Sequence, residues 1–201
     1  MIAAAVCAGV GGFWLAQQLD RGSPRLASGT WLPQAKPVAD FRLLDISGQP
    51  FGRRQLAGAP TLVFFGFTRC PDVCPATLYK LAQIKKRAAI PGLRVLFISV
   101  DPARDTPTAL ALYVHAFDPQ FQGLTGDSQT LARLAANFGV MVNRVELPGG
   151  DYTMDHSAVV FLLNAAGNIA AVFTPPFDVA AFSADLKRAA PYLKGGAAAR
   201  A

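Results

Sequence analysis

Two histidines and three cysteines are the only imidazole and thiol donors among 201 residues. Cysteines this sparse exclude a disulfide-built scaffold, which needs several bridges to replace a core. Charge is thin as well, at 16% of residues, and no basic block exceeds Lys85-Lys86-Arg87. That triplet falls on a predicted helix, where it reads as a solvated face. No RNA- or DNA-binding motif accompanies it, so nucleic acid is not an expected partner. The net charge of +6 suits docking onto an acidic protein surface instead. No internal repeat is present. What is left is a chain 52% hydrophobic, long enough for one packed domain with appendages.

The longest apolar run is Ile2 to Leu19, at the short end of what spans a bilayer. Residues 1–20 read as a transmembrane anchor or uncleaved signal, because the run exceeds an ordinary signal core and no A-x-A site follows it. A cleaved signal peptide is the competing reading. The usual positive flank is missing before the run, while Asp20, Arg21 and Arg25 follow it. Cys7 lies within it as a membrane-buried thiol. Residues 21–37 carry Pro24, Gly29, Pro33 and Pro37 and read as a linker. Residues 38–193 form the expected domain, and 194–201 a disordered tail.

Within the domain, Thr61 to Phe67 is β-branched and aromatic, the composition of a buried central strand. Leu78, Leu81, Ala82 and Ile84 recur at helical spacing and predict a helix to about Ala89. Leu93 to Val100 is a second buried strand, so the three elements make a right-handed βαβ unit. Before them, Phe41 to Leu44 and the Phe51 region flank a hairpin turn at Asp45-Ile46-Ser47-Gly48-Gln49. After them, Thr106 caps a helix from Pro107 to Phe117, and Ser128 to Phe138 forms another. Asn143–Glu146 and Asp151–Thr153 bracket a second hairpin turn. Ala158–Leu163 and Ile169–Phe173 are strands, and a last helix spans Asp178 to Tyr192. This order describes an α/β, thioredoxin-like fold with an N-terminal hairpin, preceded by a single membrane-anchor helix.

Cys70 and Cys74 follow the central strand with three residues between them. Pro75 fits the first helical position, which makes Cys74 the expected N-cap. Both sulfurs then lie where the helix N-terminus favours thiolate over thiol. Thioredoxin-like oxidoreductases carry two intervening residues. The third widens the bite enough for a metal without forbidding a disulfide. Soft thiolates select Cu(I), zinc or iron–sulfur, and Cu(II) wants a nitrogen donor as well. Of the two histidines, His115 lies on an amphipathic helix as a surface or half-buried residue. His156 precedes the strand at Ala158, in the loop that packs against the cysteine turn of a thioredoxin-like sheet. Thioredoxins place a cis-proline there, and this chain has no proline at that point. His156 either reaches a metal on the two sulfurs or hydrogen-bonds to backbone. Met154 alternates with it on one face, and Met141 reads as core. A peroxidase reading lacks the Thr-x-x-Cys arrangement, since Thr68 stands two residues before Cys70.

Four segments in order resemble the Sco/SenC family: Phe65 to Pro75, Ser99 to Pro107, Gly123-Leu124-Thr125-Gly126 and Asp151 to Ser157. Its members are membrane-anchored copper chaperones that assemble the binuclear CuA centre of cytochrome c oxidase. The resemblance covers Val38 to Tyr192. It implies that Cys70, Cys74 and His156 bind one copper ion, Cu(I) or Cu(II), and that Cys70 and Cys74 also form a redox disulfide. It implies transfer of the metal, not enzymatic turnover, to the CuA-bearing oxidase subunit. Other periplasmic copper chaperones or thioredoxin-like reductants are further expected partners. The implied location is single-pass in the inner membrane with the soluble domain in the periplasm. Around the metal, Asp155 or a backbone carbonyl would orient the His156 ring. Asp72 would offset cation charge, contact the partner or cap the helix. Asp101 and Asp105 would pair with Arg104 to hold their loop near the site. Arg69 departs from the family pattern, where many members carry histidine or another polar residue. The alternative is a thiol-disulfide oxidoreductase that reduces the CuA-site cysteines of the apo-oxidase subunit.

Overall fold

In the computed structural model, which describes residues 23–194, the chain enters through a strand, β1 (Gly29–Lys36), in the stretch expected to be a linker. This strand pairs antiparallel with β10 (Ile169–Phe173) at one edge of the main sheet, and its register breaks between Trp31 and Lys36. Pro33 falls in that break, where an edge strand tolerates a missing donor. The Trp31 ring meets Tyr192 edge-on at 6.0 Å, closing β1 onto the end of the chain. The other edge is the expected hairpin, β2 (Arg42–Asp45) with β3 (Pro50–Gly52). The Asp45 carboxylate makes its turn by accepting the N–H groups of Ser47 and Gln49. A one-turn helix, α1 (Arg53–Leu56), follows.

The remaining order is β4 (Thr61–Gly66), α2 (Val73–Ala88), β5 (Arg94–Ser99), α3 (Pro107–His115), β6 (Gln122–Thr125) and α4 (Ser128–Phe138). Then come β7 (Val142–Glu146), β8 (Tyr152–His156), β9 (Val160–Leu163), β10 and α5 (Val179–Ala189), which ends in a 3-10 turn. The main sheet runs β1-β10-β9-β4-β5-β6-β2-β3. β4 is parallel to β5 and antiparallel to β9, and every residue of β4 is buried. Burial on both faces requires helices on both sides. Strand alternation sends Phe64 to Phe97, whose ring meets Tyr113 of α3, and Phe65 to Phe161 and Phe138 of α4. Helix starts follow the expected chemistry: Thr106 accepts from Ala109 N–H, and Asp127 from Gln129 and Thr130.

The second hairpin extends further than its sequence signature. β7 and β8 form a two-stranded sheet of their own, with Val142 opposite His156. His156 therefore ends a strand and does not sit in a loop. No helix among the described residues is long and apolar enough to cross a membrane. The anchor expected at residues 1–20 and the tail beyond Lys194 lie outside the described residues.

Candidate metal centre

The cysteine turn is built where β4 stops. Thr68 donates its backbone N–H and its hydroxyl to Asp105, the latter at 2.6 Å. Asp105 is fully buried and also accepts from the Ser99 hydroxyl at 2.7 Å. One carboxylate thus ties the turn to the end of the neighbouring strand. Burial raises the Asp105 pKa, and the Thr68 and Ser99 bonds oppose that rise. The ion pairing expected of this loop is divided. Arg104 pairs with Asp101 and Asp151, while Asp105 bonds only to hydroxyls and backbone.

Helix α2 begins at Val73, so Cys74 lies inside its first turn and Asp72, not Cys74, takes the N-cap position. Pro75 becomes the third helical residue, which is still within the turn whose N–H groups have no helical acceptor. The Asp72 side chain makes no cap hydrogen bond and is exposed. The Cys70 sulfur does that work, accepting the Cys74 N–H at 3.4 Å. Neither cysteine is in a disulfide here.

The two sulfurs are not equivalent. A hydrogen bond from the Cys74 thiol, opposed by burial and aided by the N–H groups of Cys74 and Asp72, pulls Cys70 down to about 5. Its bond to Cys70, then burial, then the charges of Cys70 and Asp105 push Cys74 well up. These opposite shifts favour a thiolate at half-buried Cys70 and a thiol at buried Cys74, with one proton between them. The helix terminus does not yield two thiolates, as the sequence suggested. Gly66 makes room for the buried sulfur. A Cβ there would stand 2.8 Å from Cys74 Sγ and 2.7 Å from the Phe97 ring.

From the end of β8, the His156 ring lies 6.0 Å from Phe64 and 5.9 Å from Phe67, centroid to centroid. Its Nε2 is 3.4 Å from Cys74 Sγ, and its Nδ1 is 3.3 Å from the Ser157 carbonyl. A proton on Nδ1 directed at that carbonyl leaves Nε2 as the lone-pair donor facing the sulfurs. Donor atoms of Cys70, Cys74 and His156 all lie within 4.8 Å of one another. Two sulfurs and an imidazole nitrogen form a set suited to copper or zinc.

The other expected residues sort by location. Asp155 is exposed on the opposite face of β8 from His156, so the carbonyl orients the ring. Asp101 is 3% exposed and accepts from Tyr152 Oη at 2.7 Å as well as from Arg104. Met154 lines an apolar cavity of about 210 Å³ with Leu131 and Ala135 of α4. Met141 is 72% exposed, not core, because its backbone bonds to Ser157 at the hairpin base while its side chain faces out. His115 is exposed, as expected. Sequence reasoning missed Tyr113, whose phenol is buried without a hydrogen-bond partner. Burial, with the negative charge of the nearby cysteine pair and Asp105, raises its pKa. Its spacing with Leu110 and Val114 signals only a core helix face.

The family model described as SCO1/SenC matches residues 31–191. The mitochondrial SCO2 homolog of Bos taurus is 36% identical over 174 residues, which is 83% of this chain and 65% of that protein. The chain thus spans just under two thirds of that relative's length. ScoI of Arabidopsis thaliana, solved with copper bound, matches with a TM-score of 0.73 at 32% identity, covering 77% of this chain and 98% of that one. ScoI of Bradyrhizobium japonicum, also solved with copper bound, matches at 0.68 and 38% identity, covering 75% and 97%. A match from the first strand to the last helical turn, with a cysteine pair and a histidine converging at its centre, shows that this chain belongs to the SCO1/SenC family.

Proposed function

We propose that this protein carries one copper ion, as Cu(I) or Cu(II), on Cys70, Cys74 and His156 and delivers it to the CuA site of cytochrome c oxidase. The observation that carries the reading is the gathering of three donors of copper-binding softness within 4.8 Å. The copper-bound states of two ScoI proteins support it. Cu(I) is satisfied by the two sulfurs, and Cu(II) draws on His156 as well. Delivery suits a turn that presents Arg69, Pro71, Asp72 and Val73 to solvent beside half-buried Cys70, where a recipient's thiols can reach the metal. Asp72 is then a group for the recipient to meet. In this reading residues 1–20 anchor the domain on the periplasmic side of the inner membrane, beside the CuA-bearing subunit. Other copper chaperones or thioredoxin-like reductants would load or reduce the site.

Titrating the reduced protein with each copper state tests this. One equivalent should bind, and His156→Ala should abolish the Cu(II) complex while leaving Cu(I) bound. Failure of the wild type to bind either ion would overturn the reading.

One observation favours a second reading. A thiolate at Cys70 beside a thiol at Cys74 is the pair that a disulfide reductase needs. If the protein instead reduces CuA-site cysteines, His156→Ala retains full function and either Cys→Ser variant loses it.

A further inference from the structure

Alternation along hairpin β7–β8 puts Tyr152, Met154 and His156 of one strand on the same face as Val142, Arg144 and Glu146 of the other. From base to tip, this face presents His156 to the cysteines, Met154 to the cavity against α4, and Tyr152 to the loop after β5. The middle seat is not tightly filled, since a cavity of about 210 Å³ lies beneath Met154. The tip is held differently. The guanidinium carbons of Arg104 and Arg144 each lie 3.7 Å from the centroid of the Tyr152 ring. Two guanidinium groups at that distance must occupy opposite faces, which gives a cation–ring–cation sandwich. Arg104, its side chain 12% exposed, also pairs with Asp101 and donates to the Tyr152 carbonyl at 2.9 Å. Tyr152 Oη closes the ring of contacts on the same Asp101.

That loop therefore grips both halves of the site. Asp105 holds the root of the cysteine turn, and Asp101 with Arg104 holds the arm that carries the imidazole. We propose that Tyr152, clamped between Arg104 and Arg144 and tied to Asp101, is the positioning residue that sets His156 over the cysteine pair. The proposal rests on the reading of His156 as the third copper donor. Four residue steps along the strand separate the two side chains, roughly 13 Å of stiff extended backbone, so the clamp acts through the strand without touching the metal.

Three full-length proteins test it: wild type, Tyr152→Leu and Tyr152→Phe. Tyr152→Leu should weaken Cu(II) about tenfold, the scale on which outer partners of a ligating histidine act. Cu(I), satisfied by two thiolates, should change less than about threefold. Tyr152→Phe keeps the sandwich but loses the Asp101 bond, and should fall between. In the metal-free protein, the ring protons of His156 feel the Phe64 and Phe67 ring currents. Their NMR shifts should move toward those of an exposed histidine in Tyr152→Leu. Unchanged Cu(II) affinity and unchanged shifts in that variant would overturn the proposal. So would an equal loss of both copper states with a lowered melting temperature, which marks a merely structural residue. If the wild type binds no copper, the functional reading fails, and the ring shifts still decide the clamp.

Discussion

The cysteine turn and the histidine arm bring donors to one point by opposite means. Cys74 has no exposed surface, and from the first turn of α2 its sulfur lies against Gly66, the last residue of a strand whose six residues are all buried. Around that strand, Phe65, Phe138 and Phe161 form a closed cluster with ring separations between 5.0 and 6.4 Å. The hairpin that ends in His156 is a two-stranded sheet, and four of the five residues of β7 are exposed. A lone hairpin of this size has little stability of its own. Its hold on the domain is a half-buried methionine, a tyrosine sandwich and a buried carboxylate. Sulfur positions are thus set by the apolar core, while the arm that carries the nitrogen is tied down largely by polar contacts at its tip. Damage to the first region should be read in folding, and damage to the second in metal preference.

The sharpest break in this comparison is His156→Ala. Removing the arm's only donor should lower Cu(II) affinity by more than about 100-fold, near 3 kcal/mol. Cu(I) affinity should fall by less than about tenfold, and the urea midpoint should stay close to wild type. Competition titrations with chelators for each oxidation state check both. A large drop in folding stability would show that the arm supports the core after all.

Gly66→Ala attacks the other region. The added methyl meets the Cys74 sulfur and the Phe97 ring at under 3 Å, and both are walled in. Overpacking of this kind typically destabilises by about 1–3 kcal/mol, measurable as a shifted denaturation midpoint. Both copper states should weaken together, since the displaced group is a sulfur common to them. Loss of Cu(II) alone would contradict the division.

Acid–base behaviour separates the two sulfurs within the turn. Cys70 sits at about 5 in the fold against an ordinary value of 9.0, so between those limits the unfolded reduced chain binds the extra proton. Stability of the reduced, metal-free protein from this group should therefore grow as pH rises from about 5 to 9 and be lost as pH falls through 5. Above 9, Cys74 acts in the reverse sense, because the fold keeps a proton that the unfolded chain releases. Urea midpoints at pH 5, 7 and 9, compared with those of Cys70→Ser, should diverge with rising pH. Parallel curves would mean that the two thiols share no proton.

The same contrast explains what could be read from the sequence. The buried run at β4, the helix after it and the cysteine pair are legible because local composition and burial agree there. β1 is not, since Pro33 and Pro37 signal a linker and only an edge position makes a strand compatible with Pro33. β6 hides behind Gly123 and its length of four residues. His156 stands out as a rare residue, but the strand it ends does not, because the alternation Tyr152-Met154-His156 runs on past the apparent end at Thr153. Cys74 was expected two steps too early in the helix because Pro75 fits the first turn at more than one position. Asp105 and the Tyr152 clamp gain their roles from partners such as Thr68 and Asp101, 37 and 51 residues away, and no local pattern encodes those.

The smallest effect tests the two faces of one strand against each other. Asp155 and His156 are adjacent in sequence, yet β8 points them in opposite directions, and the Ser157 carbonyl already occupies Nδ1 of the ring. If orientation of the imidazole is a backbone matter, Asp155→Ala should change Cu(II) affinity by less than about twofold, against the tenfold or greater loss expected when a histidine's outer partner is removed. Its melting temperature should match that of the wild type, since exposed substitutions generally fall within about 0.5 kcal/mol. A tenfold loss of Cu(II) would instead mean that the ring swings to the carboxylate once metal is bound. The arm would then be held at its tip while the imidazole at its base turns.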